Sequence, residues 1–335
     1  VPSISINSLK TRFTLLPLVF ASIALVACAS DELTEAVSSD SAQSSVQESG
    51  LPAALSSFAS LEPNWTVISE DLYLELATPD LGVGTQRFGI VLSDDKGIIK
   101  FPIVSMTANY YPDGYDSEPD AELSSSATAR FYEFPFGTRG LHSTDLIFDR
   151  AGLWSVSTSI PRPYGSSSTV EVRFSVAEMA ISVTVGQKAP TSASRTLASE
   201  GNIVKLTTGS HRDPGLYQYS IAEAIDRDRP LLIVFASPAF CTNAVCGPQV
   251  EIASELREVY GNEVDFVHVD LYSNPHEIQG DLSVARITPL LAEWGLSSQE
   301  WTFIVGSDGI VTHRFENFAP KPELIEALDQ IIAMG

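Results

Sequence analysis

The sequence predicts a multidomain chain in which a β-sandwich is followed by an α/β domain. Two observations carry that prediction. Between about residues 64 and 185, apolar and polar side chains alternate in short runs separated by turn signals. Beyond about residue 213 the pattern changes to continuous apolar runs interleaved with amphipathic stretches. The 335 residues leave room for about two domains, and a hydrophobic content of 44% is enough for packed cores.

Acidic residues outnumber basic ones 42 to 20, for a formal charge of −22. Such a field repels phosphate backbones, so nucleic acid is not an expected partner. It also opposes a charge-driven hold on anionic lipid, so attachment to a membrane would have to be covalent or hydrophobic. No cofactor is expected, no metal ligands are assigned, and no oligomeric state follows from the sequence.

The amino terminus offers such an attachment. Lys10 and Arg12 precede an apolar run over residues 13–27, shorter than the roughly 20 residues of a spanning helix. A basic start, a short apolar stretch and small residues at its end mark a secretory signal. The run ends Leu25-Val26-Ala27-Cys28, which resembles the bacterial lipobox. That resemblance implies a lipoprotein signal peptide over 1–28, lipidation of Cys28, and an extracytoplasmic chain anchored to the cell membrane by lipid. Residues 29–62 open with a stretch rich in Ser, Glu, Asp, Ala and Gln. This composition buries no core and predicts a flexible tether.

Residues 63–186 form the β-rich domain. Val170, Val172, Phe174 and Val176 alternate with Glu171, Arg173 and Ser175, as in a half-buried strand. Further strands are expected over 72–76, 87–92, 98–104, 129–134, 153–157 and 180–185. Turn signals lie at Asp95-Lys96-Gly97, Pro112-Asp113-Gly114, Ala151-Gly152 and Tyr164-Gly165. Many short strands at this spacing suggest an immunoglobulin-like β-sandwich, here without a cysteine pair. The phrases running from Val83 to Leu92 and from Phe148 to Val156 resemble small immunoglobulin-like modules of bacterial envelope proteins. Trp154 is expected in the core, and His142 on the surface or in a loop. The polar stretch 110–126 carries Asp113, Asp116, Glu118, Asp120 and Glu122 but fits no EF-hand spacing, so a solvated loop is expected there.

Residues 187–212, rich in Pro, Ser, Thr and Ala at their start, read as a linker. In 213–335 the expected elements are a helix over 216–226, a buried strand over 231–236 and a helix over 250–260. A second buried strand at 264–269 and a helix near 289–294 follow. A hairpin of 301–305 with 310–315 and a final helix at 322–333 complete the domain. The first buried strand runs into Ser237-Pro238-Ala239-Phe240-Cys241-Thr242-Asn243-Ala244-Val245-Cys246-Gly247-Pro248. The order of elements and the cysteines at this strand-to-helix junction resemble the thioredoxin family, over roughly residues 217–332. Trp294-Gly295-Leu296 and Asp308-Gly309-Ile310 fit its extracytoplasmic redoxin-like branches.

Three departures from that family are visible. Four residues, not two, separate Cys241 and Cys246. On a regular helix that spacing would exceed the roughly 7 Å Cα limit for bridging, so a disulfide requires Cys241 in the loop or a distorted first turn. The family's cis-proline position aligns with Glu300, where a cis bond would cost about 2.5–4 kcal/mol. The family's buried acid aligns with Val234. Cys246 could also open a degenerate Cys-Gly-Pro-Cys, with Gln249 in its last place.

Three functions fit this pattern. The resemblance implies thiol–disulfide exchange, with Cys241 attacking and Cys246 resolving, and with protein thiols or disulfides of the cell envelope as partners. His268 and Glu300 are the nearest proton-transfer groups, although His268 reads as an ordinary strand residue. The second function is copper handling, as in Sco-type chaperones, which share the fold and use Cys-x-x-x-Cys with a distant histidine. Here the cysteines are one residue further apart, and His313 lies within a strand. The third is a structural disulfide in a binding or scaffold lipoprotein, the default for a close pair in an oxidising compartment.

Overall fold

The computed structural model describes residues 65–334 apart from 136, 138 and 243. The signal segment 1–28 with Cys28, and the tether 29–62, lie outside the described residues. The alternating region becomes nine strands: β1 (Trp65–Ile68), β2 (Tyr73–Leu76), β3 (Gly84–Asp94), β4 (Gly97–Ile98), β5 (Ile103–Tyr111), β6 (Asp120–Glu133), β7 (Gly140–Phe148), β8 (Gly152–Pro161) and β9 (Ser167–Val176). Their order is β1-β9-β8-β5-β6-β7-β3-β2, with β4 on β3. The two sheets expected of a sandwich are joined, because β5 and β6 stay paired from Ile103↔Arg130 to Tyr110↔Asp120. The path curls until its ends approach, giving a near-barrel. Gly82 bridges Ala177, and Val83 N donates to Ala177 O at 3.1 Å. A Cβ at Gly82 would lie 2.6 Å from Ala180 N, so this closure requires glycine.

The alternating residues of β9 are buried as expected, and so is Trp154. Phe88, Phe148, Trp154 and Phe174 meet at the centre, with centroids 5.4 Å apart for Phe88–Phe174 and 5.1 Å for Phe148–Trp154. The Trp154 indole donates to Arg150 O at 3.1 Å, which satisfies its one polar atom.

Four sequence expectations are corrected here. The strand at 98–104 divides, because Gly97–Ile98 closes a hairpin on β3 while β5 begins only after Pro102, which lacks a donor. The stretch 180–185 is not a strand. Instead Ile181 N and Ser182 N donate to the Asp80 carboxylate, and Val183 N to Trp294 O. Much of 110–126 is not loop but β6, which pairs with β5 in a long hairpin. His142 is fully buried on β7, a strand the polar sequence concealed; its Nε2 donates to Phe101 O at 2.9 Å and burial lowers its pKa.

The carboxy-terminal half is a mixed α/β domain. Its sheet has the order β11-β10-β12-β13, formed by β10 (Leu231–Phe235), β11 (Asp265–Val269), β12 (Trp301–Val305) and β13 (Val311–Glu316). β10 and β11 are parallel, and the other neighbours antiparallel. Every residue of β10 is buried, as a strand covered on both faces requires. Among the described residues six helices accompany the sheet: α1 (Leu197–Glu200), α2 (Ile221–Ile225), α3 (Cys246–Tyr260), α4 (Pro275–Ile278), α5 (Leu290–Glu293) and α6 (Lys321–Met334). Residues on α3 and α6 pack on the face carrying Leu232, Val234 and Ile304; α2 and α5 cover Ile233, Phe235 and Phe303. The expected helix at 216–226 is broken into a 3₁₀ turn (Pro214–Tyr217) and α2, because Ser220 starts a new helix. Its hydroxyl accepts from Glu223 N, and Glu223 accepts from Ser220 N.

Residues 187–212 lie along this domain: Ala189 N donates to Gly309 O, and Thr208 N to the Asp270 carboxylate. The described residues belong to one compact unit, and a buried ionic network joins its halves. Arg314 Nη1 meets Asp80 Oδ2 at 3.1 Å and Ser182 Oγ at 2.6 Å, and Nη2 donates to Asp80 O and to Gln86 Oε1. Breaking such a pair strands a buried charge. Arg314→Met is therefore expected to destabilise the chain by about 3–5 kcal/mol, read as a lower midpoint in urea unfolding.

Candidate metal and redox centre

The site forms where β10 ends. The chain leaves the strand through residues 236–245, carries Cys241 in that loop, and enters α3 with Cys246 as its first helical residue. Ala244 adopts φ 62°, in the left-handed region, which turns the loop back toward the helix. The Cα atoms of Cys241 and Cys246 are thereby 5.9 Å apart and the sulfurs are joined. This meets the requirement that the wide spacing imposed. Cys246 is fully buried, while Cys241 is partly exposed. The 15 residues of α3 direct their N-terminal amides and dipole toward Cys246, an arrangement that favours a thiolate once the bridge is reduced.

A second segment closes over the pair. Gln299 Oε1 accepts from both Thr242 N and Thr242 Oγ1 at 2.9 Å, and Gln299 O lies 3.8 Å from Cys246 Sγ. The next residue, Glu300, is 1% exposed, and neither carboxyl oxygen has a hydrogen-bond partner. One oxygen of Glu300 and the two sulfurs all lie within 4.8 Å of one another. Burial pushes the Glu300 pKa up to about 8, against a weaker opposing pull from Arg87. The carboxyl is therefore mostly protonated near neutrality unless a cation displaces the proton. Thr302 Oγ1 and Gln249 Nε2 are also buried without partners.

The other sequence candidates fall elsewhere. His268 Nδ1 accepts from Tyr217 Oη at 2.6 Å, and its Nε2 donates to Ala236 O at 3.0 Å. Both ring nitrogens are occupied, and burial lowers its pKa to about 4, so it is a neutral structural residue. His313 lies on β13, stacked on Phe315, and is not a member of the cluster. Val234 stands opposite His268 in the sheet and offers no proton. Gln249 is a brace, its Oε1 accepting from Ala319 N at 2.9 Å. Among the described residues no peptide bond is cis. The contacts of Gln299 and the brace at Gln249 escaped sequence reasoning, since both depend on partners 57 and 70 residues away.

Chemically, the arrangement offers a disulfide that can open to two thiols, or those two sulfurs with Glu300 as three donors to one cation. It is thus suited to redox or metal-handling chemistry in general.

No family model matches the chain, and no curated protein does. Among solved structures, the PmoD soluble domain from Methylocystis sp. ATCC 49242 (Rockwell) aligns with 33% of this chain and 94% of its own, at 12% identity and a TM-score of 0.23. MtrC from Shewanella baltica OS185 aligns with 47% of this chain and 28% of its own, at 12% identity and a TM-score of 0.20. Likenesses this slight carry no argument about fold or function.

Glu316, beside the site on β13, accepts from Asp80 N at 2.9 Å and from Ser298 Oγ at 3.1 Å. Burial nonetheless raises its pKa from 4.5 to about 7. The folded chain then holds a proton that the unfolded chain releases, so stability falls as pH rises through that window. Glu300 acts in the same sense. Thermal unfolding in the disulfide form is expected to show a lower midpoint at pH 8 than at pH 5. Glu316→Gln should remove part of that drop, on the order of 1–3 kcal/mol; an unchanged slope would exclude Glu316 as its source.

Proposed function

We propose that this chain handles a thiophilic metal ion, copper foremost, through Cys241, Cys246 and Glu300, and that the disulfide is the oxidised resting form of the site. One observation carries this: a fully buried carboxyl, without any hydrogen-bond partner, faces both sulfurs. A buried polar group left unpaired costs about 1–3 kcal/mol. A cation bound by the two sulfurs would use both the carboxylate and its charge.

A dithiol of the envelope delivers two electrons and two protons to the bridge, becoming a disulfide itself, and leaves Cys241 and Cys246 as thiols. Metal entry displaces their protons and that of Glu300 into solvent. Thiolates favour Cu(I) and also suit zinc. The site would resemble that of Sco-type chaperones, with a carboxylate where they use histidine.

The fold supports kinship with thioredoxin-like proteins: a parallel β10-α3-β11 half, then the β12–β13 hairpin and α6, with the cysteines at the strand-to-helix junction. For the first domain, the runs β2-β3-β7-β6 and β5-β8-β9 within the continuous strand path follow the ABED and CFG orders, which supports kinship with immunoglobulin-like sandwiches.

The test is titration of the reduced full chain with Cu(I) against a competing chelator. One ion per chain is expected, and Cys241→Ser or Cys246→Ser should abolish tight binding. Even outer-shell partners of a metal are worth roughly 10–100-fold in affinity, so Glu300→Ala should cost at least that. Failure of the reduced wild type to bind one equivalent would sink the proposal.

Thiol–disulfide exchange is a second reading, favoured by the partly exposed Cys241 beside the buried Cys246. An incoming thiolate would attack Cys241, and Cys246 would leave as the thiolate at the helix N-terminus. A bridge potential below about −300 mV would mark a structural disulfide instead. Either chemistry is proposed to act outside the cytoplasm, on a chain held to the membrane by lipid at Cys28. Cys28→Ser should then shift the protein from the membrane to the soluble fraction.

A further inference from the structure

One set of contacts between the β-rich domain and the walls of the cysteine centre runs through a short segment, residues 316–319. Arg87 on β3 reaches across and forks onto it: Nη1 donates to Glu316 O at 3.2 Å and Nη2 to Phe318 O at 3.0 Å, while Nε meets the Glu323 carboxylate at 2.7 Å. The far side of Glu323 accepts from Ser143 Oγ on β7. Phe134, following β6, sets its ring edge-on against Phe318 with centroids 4.9 Å apart. The segment in turn grips both walls of the centre. Asn317 N donates to Glu300 O at 2.9 Å, and Ala319 N donates to Gln249 Oε1 on α3, one turn beyond Cys246.

We infer that Arg87, assisted by Phe134, is a positioning residue for the Cys241–Cys246–Glu300 centre, so that the β-rich domain sets both the stability of the disulfide and the placement of its third donor. This deepens the proposed function and rests on that centre being the working site. The geometry is specific to arginine. Two carbonyls on one segment and a carboxylate on the next helix need a planar fork with separate donors, which a lysine ammonium cannot present in the same directions. Arg87 and the Asp80–Arg314 pair both reach Glu316, Arg87 through its carbonyl and Asp80 N through its carboxylate, but only Arg87 also holds the Phe318 carbonyl. Releasing 316–319 frees the Gln299-Glu300 strand entry to move away from the Cys241–Thr242 loop. The disulfide loop then loses the Gln299 contacts that hold it in its bridged form, and the carboxyl loses its fixed distance to the sulfurs.

The experiment uses the full chain. The Cys241–Cys246 bridge is equilibrated with a dithiothreitol redox buffer, and Cu(I) affinity is measured on the reduced protein. Arg87→Met is expected to favour the dithiol about tenfold, which is about 30 mV for a two-electron couple, and to weaken Cu(I) binding. Arg87→Lys should behave as Arg87→Met does, because it restores the charge and not the fork. Gln86→Ala loosens the neighbouring Arg314 contact without touching 316–319 and should leave the bridge equilibrium at the wild-type value. Should Arg87→Met not fold, Phe134→Leu carries the test and should shift the equilibrium in the same direction. An unshifted equilibrium in Arg87→Met overturns the inference. So does full rescue by Arg87→Lys, which would assign the effect to charge, or an equal shift in Gln86→Ala, which would assign it to general loosening. If the wild type binds no Cu(I) yet the bridge equilibrium follows this pattern, the metal proposal fails and the positioning role stands.

Discussion

A carboxyl group removed from water without a donor is among the costlier things a fold can hold, and Glu300 is such a group. Its position is not a matter of side-chain choice. The backbone there is the entry to β12, fixed by the pairing of Trp301 with Phe235 and Glu316 and by Asn317 N on Glu300 O. Strand alternation then fixes the side chain. Trp301 and Phe303 belong to the cluster under α5, so Glu300 and Thr302 lie on the opposite face, which α3 covers with Cys246. The sheet therefore delivers a carboxyl to the sulfur pair whether or not the carboxyl is comfortable there. The discomfort is visible as its raised pKa.

The same economy of constraint joins the two halves. Asp80, Arg314 and Glu316 are all nearly dehydrated, and an ionic group in that position is stable only with its partners in place. The buried network thus demands one arrangement of the β-rich domain against β13. That arrangement brings Arg87 and Phe134 to the segment after β13. The two sets of contacts share one interface and meet at Glu316, whose carboxylate accepts from Asp80 N and whose carbonyl accepts from Arg87.

Much of the α/β half was legible in the sequence, because its signals are local. Five consecutive apolar residues mark β10, and Ser307-Asp308-Gly309 marks the hairpin between β12 and β13. The cysteine loop could be reasoned from the bridging distance alone. The β-rich half was legible where burial alternates, as along β9, and obscure where it does not. β7 reads Leu-His-Ser-Thr-Asp, and the distant Phe101 carbonyl pairs with one ring nitrogen of the buried His142. Residues 180–185 are apolar and β-like in composition, yet the Asp80 carboxylate claims two of their amides. At the site, both cysteines and Glu300 could be named from the sequence. The partners that define their geometry could not, because Gln299, Gln249 and Arg87 act through contacts at large sequence separation.

The residue at the strand entry adds to what the cysteine pair offers. One carboxyl oxygen of Glu300 lies within 4.8 Å of both sulfurs and adds a third donor to the pair. The wide cysteine spacing acts in the same direction. With Cys241 in the loop and Cys246 on the helix, the sulfurs approach from different segments, and Gln299 O lies 3.8 Å from Cys246 Sγ. A loop, a helix start and a strand entry each bring one donor to the same place. Together they make a three-donor pocket, partly open at Cys241, in which opening the disulfide and admitting a cation are two uses of the same geometry.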